Sequence, residues 1–157
     1  MASMLFPYVK WLHILSAIAA VGTNITYGVW LARAARQPAM LPFTLKTVKL
    51  LDDRLANPCY GLLLITGLTK VFIVPYPIQT PWILTALILY AILALLAALG
   101  YTPTLRKQIQ SLETGGPESA EYQAASKRGT VLGIVLAVIT VTIIFLMVVK
   151  PALWGTA

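Results

Sequence analysis

Four long apolar runs dominate the hydropathy pattern of the chain, and charged or proline-containing stretches separate them. Each run has close to the roughly 20 residues that an α-helix needs to cross a bilayer core of about 30 Å. The runs are rich in leucine and alanine, and an open β-sheet would leave its backbone groups unpaired in lipid. The pattern therefore predicts an all-α integral membrane four-helix bundle, with transmembrane helices at about residues 11–32, 55–74, 82–105 and 130–149.

The connections between the runs carry weaker signals. Pro75 and Pro77 predict a tight turn between the second and third spans. Apolar residues at helical spacing over 45–55 predict either a short interfacial helix or an inner extension of the second helix, and we favour the extension. Residues 111–125 contain a Gly-Gly-Pro sequence and predict a flexible connection followed by the start of a helix.

The composition agrees with a membrane protein of one domain. Of the 157 residues, 59% are hydrophobic and 11% are charged, whereas a soluble domain usually carries about a quarter charged residues. The net charge of +7 does not indicate nucleic-acid binding, because the basic residues flank the apolar runs and are not grouped with exposed aromatics. The first run is too long for a cleaved signal peptide, so we expect it to be retained as a helix.

The distribution of charge gives the bundle a direction. Nine of the twelve Lys and Arg residues, and all five Asp and Glu residues, fall in the connections between spans one and two and between spans three and four. The positive-inside rule therefore predicts that these connections are cytoplasmic and that the N-terminus and C-terminus are both outside. Aromatic residues are expected at the outer interface (Tyr8, Trp11, Tyr76, Trp82, Trp154) and at the inner one (Trp30, Tyr101).

Polar side chains inside the spans are candidates for function, because placing them in lipid is costly. On the first span, a stripe at helical spacing combines small residues with His13, Asn24 and Tyr27, and we expect it to face the bundle interior. Counting along the spans places His13, Lys70 and Met147 at similar depth in the outer half. Histidine and methionine ligate haem iron. These three residues are therefore candidate cofactor ligands, with His13 as the tentative ligand of a haem iron.

A purely structural role for the same residues stays open. A histidine can hydrogen-bond a hydroxyl across helices, methionine fills gaps, and Lys70 can extend towards the headgroups. Asn24 and Tyr27 are interpreted as polar contacts of the bundle interior. With one histidine, a monomer cannot hold a bis-histidine haem, and the single cysteine, Cys59, cannot form an internal disulfide. No Ser/His/Asp grouping, phosphate-binding glycine loop or zinc motif is present in the sequence.

Short segments of the chain resemble a known family; they are 8–15 (YVKWLHIL), 51–58 (LDDRLANP), 64–68 (LITGL) and 145–151 (FLMVVKP). The family is a group of bacterial membrane proteins, domain of unknown function 2269. It is similar in architecture to the copper-resistance D membrane domain and to HemJ-type membrane protoporphyrinogen oxidases. The resemblance covers nearly the whole chain. It implies a four-helix bundle of the bacterial inner membrane with a functional histidine in helix one, which here is His13.

The HemJ-type oxidases are thought to ligate haem through that histidine, with a lysine near the start of helix three. This chain departs from them there, because residues 81–85 (PWILT) contain no lysine, so oxidase activity does not carry over with the fold. Copper transport is not favoured either, because His, Cys and Met are few and Cys59 is predicted at the far side of the membrane.

Three functional hypotheses follow. The leading one is an inner-membrane protein that binds haem or another redox cofactor through His13 and acts in electron transfer or haem metabolism. The second is a non-catalytic accessory subunit of a larger membrane complex, and the third is a small transporter component. In each case the lipid bilayer is the expected environment. Membrane-protein partners or a second copy are the expected associations, and nucleic acid is not.

Overall fold

The computed structural model describes residues 2–74 and 77–153, and all regular structure in these residues is helical. A 3-10 turn, Pro38–Met40, precedes the second helix. Pro75, Tyr76 and Trp154, which the sequence assigned to a turn and to the outer interface, lie outside the described residues. The helices are α1 (Ala2–Ala35), α2 (Leu41–Leu51), α3 (Asn57–Ile73), α4 (Pro81–Leu96), α5 (Thr102–Gly115) and α6 (Ala120–Val149).

Two π-helical segments, Asp52–Ala56 and Ala97–Tyr101, join α2 to α3 and α4 to α5 without a break. In the first, the backbone N–H of Asn57 donates to the Asp52 carbonyl, five residues back. Each segment directly precedes a helix with proline in its first turn. Proline lacks the N–H and its ring clashes with the carbonyl four residues back, and the wider π turn accommodates both effects. The inner extension of the second helix is therefore confirmed.

The helices form four rods, whose candidate membrane-spanning stretches are 32, 36, 35 and 30 residues long. At 1.5 Å per residue they are about 45–55 Å long, which exceeds a bilayer core of about 30 Å. The four-helix membrane fold predicted from the sequence is confirmed. The connection between α5 and α6 is shorter than expected. Only residues 116–119 separate the two helices, because Ser119 Oγ accepts a hydrogen bond from the Tyr122 N–H and starts α6 at once.

The rods pack as two antiparallel pairs. One pair is α1 with the α2–α3 rod, and the other is α6 with the α4–α5 rod. We call the end of the bundle that carries residues 33–54 and 106–129 the basic end, and the opposite one the terminal end. The pairs meet at the basic end, where α2 contacts α5. The core there consists of buried residues from every rod: Tyr27, Ala34, Leu41, Leu45, Val48, Leu105, Leu112 and Tyr122.

The rest of the bundle buries little of its own surface. In the most apolar stretch of each rod, between 6% and 17% of the residues are buried inside the protein. On α1, Leu15 and Val29 are exposed, whereas Ala20 and Tyr27 are buried. The outward apolar surface of the helix is therefore available to acyl chains.

Candidate functional site

His13 lies on α1 against α3, in the half of the bundle near the terminal end. Its Nδ1 is 2.8 Å from the Oγ1 of Thr66, a residue of α3 that is 5% exposed. The Thr66 hydroxyl also lies 2.6 Å from the carbonyl oxygen of Leu62, one turn back on its own helix. A contact of this kind, from a threonine to the carbonyl four residues earlier, is the usual way for a helix in lipid to satisfy a hydroxyl.

These two contacts fix the tautomer of the histidine. A hydroxyl has one proton to donate, and the Leu62 carbonyl can only accept, so Thr66 donates to Leu62. Thr66 must then accept from His13, which places the ring proton on Nδ1 and leaves the lone pair on Nε2. Among residues 2–74 and 77–153, the hydrogen-bond partners of the ring are Thr66, at Nδ1, and the Leu63 backbone. A histidine held at Nδ1 with Nε2 open is the form that ligates a metal.

Gly67 leaves room for the His13 imidazole against α3. A Cβ at this position would lie 3.8 Å from Nδ1 of His13, an ordinary contact, but 3.3 Å from Cε1, which is closer than ordinary. The carbonyl of Leu63 also lies against the ring. The absence of a side chain at Gly67 thus lets the ring rest on the α3 backbone, next to the hydroxyl that orients it.

Lysine side chains lie on the side of His13 that faces the terminal end. Lys70 lies one turn beyond Thr66 on α3, and its charge acts on the His13 ring. Lys10 and Lys150 are close enough to act on Lys70 in turn. The Lys150 Nζ also lies 5.4 Å from the centroid of the Trp82 ring, a cation–π contact. The sequence places every acidic residue at the other end, so the terminal end presents cations from α1, α3 and the end of α6.

Of the residues that the sequence grouped with His13, the structure brings Lys70 to it. Met147 is partly buried on α6, in the other helix pair. Within the part of the chain that the structure describes, no hydrogen bond or electrostatic interaction connects Met147 to His13. α1 packs chiefly on α3, and α6 packs chiefly on α4 and α5, so the grouping of Met147 with His13 stays a prediction from depth.

A second polar cluster centres on Tyr60 of α3, which sequence reasoning missed. Asn24 Nδ2 of α1 donates to the Tyr60 hydroxyl at 2.8 Å, and that hydroxyl also interacts with Thr140 of α6. The hydroxyl of Tyr90, on α4, donates to the Tyr60 backbone carbonyl at 2.6 Å. Tyr60 thereby connects all four rods. Its position in the middle of an apolar run, opposite Asn24 in an antiparallel pair, is the signal that could have found it.

Two buried polar atoms of α1 have no partner among the described residues; they are Asn24 Oδ1 and the Tyr27 hydroxyl oxygen. Tyr27 lies near Asp52, a buried carboxylate of the first π segment that accepts a hydrogen bond of 3.3 Å from Asn57 Nδ2. The prediction that Asn24 and Tyr27 face the interior is consistent with these positions. Asn24 connects helices through one of its two polar atoms, whereas the Tyr27 hydroxyl forms no bond.

Comparison with known proteins places the chain in a family. The family model described as "Predicted integral membrane protein (DUF2269)" matches residues 7–151, nearly the whole chain. No curated protein and no solved structure matches the chain. The match includes all four rods, the His13–Thr66 pair and the Tyr60 cluster. The chain is therefore a member of the DUF2269 family of integral membrane proteins, with four candidate membrane spans.

Proposed function

We propose that this protein binds haem through Nε2 of His13, in the half of the bundle near the terminal end, and that it acts in electron transfer or haem metabolism. The observation that carries the proposal is the Nδ1–H hydrogen bond from His13 to Thr66, which leaves the Nε2 lone pair open. A buried acceptor on the far nitrogen is the arrangement that orients a ligating histidine and raises its basicity.

The donor set favours haem over a bare metal ion. Among the described residues there is no group of three or more His, Cys, Asp or Glu side chains that could hold a metal. A lone imidazole fits a metal that brings most of its own ligands, and the porphyrin supplies four of them to its iron. Bound haem would provide one-electron redox chemistry, with its potential set by the axial ligand and by burial.

Other residues of the site have roles that follow from their positions. Thr66 would hold the imidazole plane, and Gly67 would keep the ring close to the α3 backbone. The cations of the terminal end, Lys10 and Lys70 among them, suit the carboxylate groups that a porphyrin carries at its edge. With no second histidine in the chain, the other axial position would be open or filled by another residue or a second copy.

A similarity in architecture between the family and HemJ-type oxidases would agree with the same assignment, because the first-helix histidine of those enzymes is thought to ligate haem. The likeness to these enzymes and to the copper-resistance D domain is part of the proposal, as is location in the bacterial inner membrane with both termini outside. Oxidase activity is not included, since the lysine of helix three in those enzymes has no counterpart in residues 81–85.

The absorbance spectrum of the purified protein tests the proposal. The protein is produced in haem-replete cells, purified in mild detergent and examined for a Soret band. We expect a band in the natural protein and none in His13→Ala. Thr66→Val keeps the side-chain shape but removes the acceptor, so it should weaken haem retention roughly 10- to 100-fold. Absence of the band from the natural protein, or its persistence in His13→Ala, would refute the proposal.

Thr69→Val is the matched control. Thr69 lies on the same helix, and its hydroxyl donates to the Ile65 carbonyl at 2.7 Å, as Thr66 does to Leu62. It makes no contact with His13, so its haem content should equal that of the natural protein. If Thr69→Val lost as much haem as Thr66→Val, the loss would reflect a general change in α3 and not the missing hydrogen bond to His13. A protein without haem that co-purifies with a stoichiometric membrane partner would favour the accessory-subunit hypothesis instead.

A further inference from the structure

A surface between α5 and α6 at the basic end has no role in the proposal above. Two grooves meet there on either side of Arg128. One, of about 320 Å³, is lined by Leu99, Lys107 and Arg128 among others. The other, of about 430 Å³, is lined by Lys127, Arg128 and Val131 among others. We call the combined feature, defined by Leu99, Lys107, Lys127, Arg128 and Val131, the basic groove.

The cations of the basic groove are not neutralised by the protein. Lys107 comes from α5, whereas Lys127 and Arg128 come from α6, and no Asp or Glu lines either groove. In the part of the chain that the structure describes, none of the three side chains forms an ion pair or a hydrogen bond. The ion pairs that do form there join Lys46 to Glu113 and Lys49 to Asp53.

The predicted spans put the groove at the level of a phospholipid headgroup. Lys107 follows the third predicted span, 82–105, and Lys127 and Arg128 directly precede the fourth, 130–149. On the membrane side of these cations, Leu99 is 74% exposed and Val131 is 54% exposed. The surface thus changes from cationic to apolar over a few residues, in the direction in which a phospholipid changes from phosphate to acyl chain.

We propose that the basic groove binds an anionic phospholipid, with its phosphate on Lys107, Lys127 and Arg128 and its acyl chains along Leu99 and Val131. A guanidinium binds phosphate oxygens in a bidentate manner, and two ammonium groups beside it add charge from either side. Basic pockets between membrane helices at the cytoplasmic side favour anionic lipids in this way. Free phosphate would use the cations but leave the apolar part of the groove without a ligand.

Native mass spectrometry of the detergent-purified protein tests this inference. The protein is titrated with phosphatidylglycerol, with phosphatidylcholine of the same acyl chains, and with inorganic phosphate. We expect phosphatidylglycerol to bind at least about tenfold more tightly than phosphatidylcholine, since each cation near the headgroup contributes to binding. Equal binding of the two lipids would overturn the proposal. So would inorganic phosphate that displaces the lipid at equal concentration, because the site would then recognise a free anion.

Two variants with the same net charge distinguish a specific lipid site from a general electrostatic attraction to anionic lipid. Lys107→Gln, Lys127→Gln and Arg128→Gln together remove the cations of the groove. Arg33→Gln, Arg36→Gln and Arg106→Gln together remove as much charge from exposed residues of the same end that do not line it. The first variant should lose the preference for the anionic lipid, and the second should keep it. Loss in both would contradict the proposal, and thermal unfolding of each variant confirms that it is folded.

Discussion

The basic end of the bundle and its membrane-spanning part are held together by different forces. At the basic end, α2 and α5 bring apolar side chains such as Leu45 and Leu105 into a close-packed core. An exposed ion pair of 2.7 Å between Lys46 and Glu113 joins the same two helices. In the spans, few residues are buried, and individual polar contacts such as His13–Thr66 and Asn24–Tyr60 join the helices.

The difference follows from the two solvents. Where the rods extend into water, burying leucine and valine releases apolar surface from water and stabilises the contact. In lipid the surroundings are as apolar as leucine, so burying leucine contributes little free energy to helix association. The helices are then held together by hydrogen bonds and by the close approach of their backbones. In this protein the close-packed core of leucine and valine therefore lies towards the basic end, and the candidate site lies among the polar contacts nearer the terminal end.

Leu45→Ala should produce the largest loss of stability. Leu45 is 0% exposed and is one of the two largest fully buried side chains, so its truncation leaves a cavity in the core of the basic end. We expect a loss of about 2–5 kcal/mol in the free energy of unfolding. Thermal unfolding in detergent, followed by circular dichroism, measures it.

Leu50→Ala provides the control for this comparison. Leu50 lies on the same helix and is 57% exposed, so the same chemical change should alter stability by less than about 0.5 kcal/mol. Similar losses in Leu45→Ala and Leu50→Ala would show that the basic end has no close-packed core.

Tyr60→Phe tests the polar contacts of the spans and should have an intermediate effect. It removes the hydroxyl that Asn24 bonds and Thr140 contacts, while keeping the ring. Interhelical hydrogen bonds in membrane proteins contribute about 0.6 kcal/mol on average and up to about 1.7, so we expect a loss in that range. Tyr8→Phe, at an exposed tyrosine of α1, should unfold at the temperature of the natural protein. A loss as large as that of Leu45→Ala would mean that polar contacts dominate stability throughout.

Tyr27→Phe should have the smallest effect, and in the opposite direction. The Tyr27 hydroxyl is buried without a partner among the described residues, and a buried polar atom that forms no bond lowers stability. Its removal should leave the unfolding temperature unchanged or raise it, corresponding to a gain of up to about 1 kcal/mol. A clear loss would reveal a partner of the hydroxyl, such as an ordered water between Tyr27 and Asp52.

Much of the architecture could be predicted from the sequence, because the solvent itself imposes it. Runs of about 20 apolar residues must be helical in lipid, so the number and order of the spans follow from composition. The inward stripe with His13 and Asn24 was predicted from helical periodicity alone.

The pairing of the rods could not be predicted from the sequence. Depth along a helix is counted from its ends, but the angle around the bundle depends on which rods pack together. Lys70 and Met147 are therefore indistinguishable as partners of His13 in the sequence, and the packing of α1 on α3 brings Lys70 close enough to act on the His13 ring. Thr66 and Gly67 were visible within the segment LITGL, yet their contact with the imidazole arises only from that packing.

The sequence by itself determined that this protein is a four-helix membrane bundle with charge concentrated at one end, because hydropathy and charge act locally along the chain. Only the tertiary structure decided that His13 carries its proton on Nδ1, that Tyr60 connects all four rods and that cations of α5 and α6 line one groove. Each of these depends on contacts between residues 21 to 80 positions apart in the chain, which close packing sets and local pattern does not.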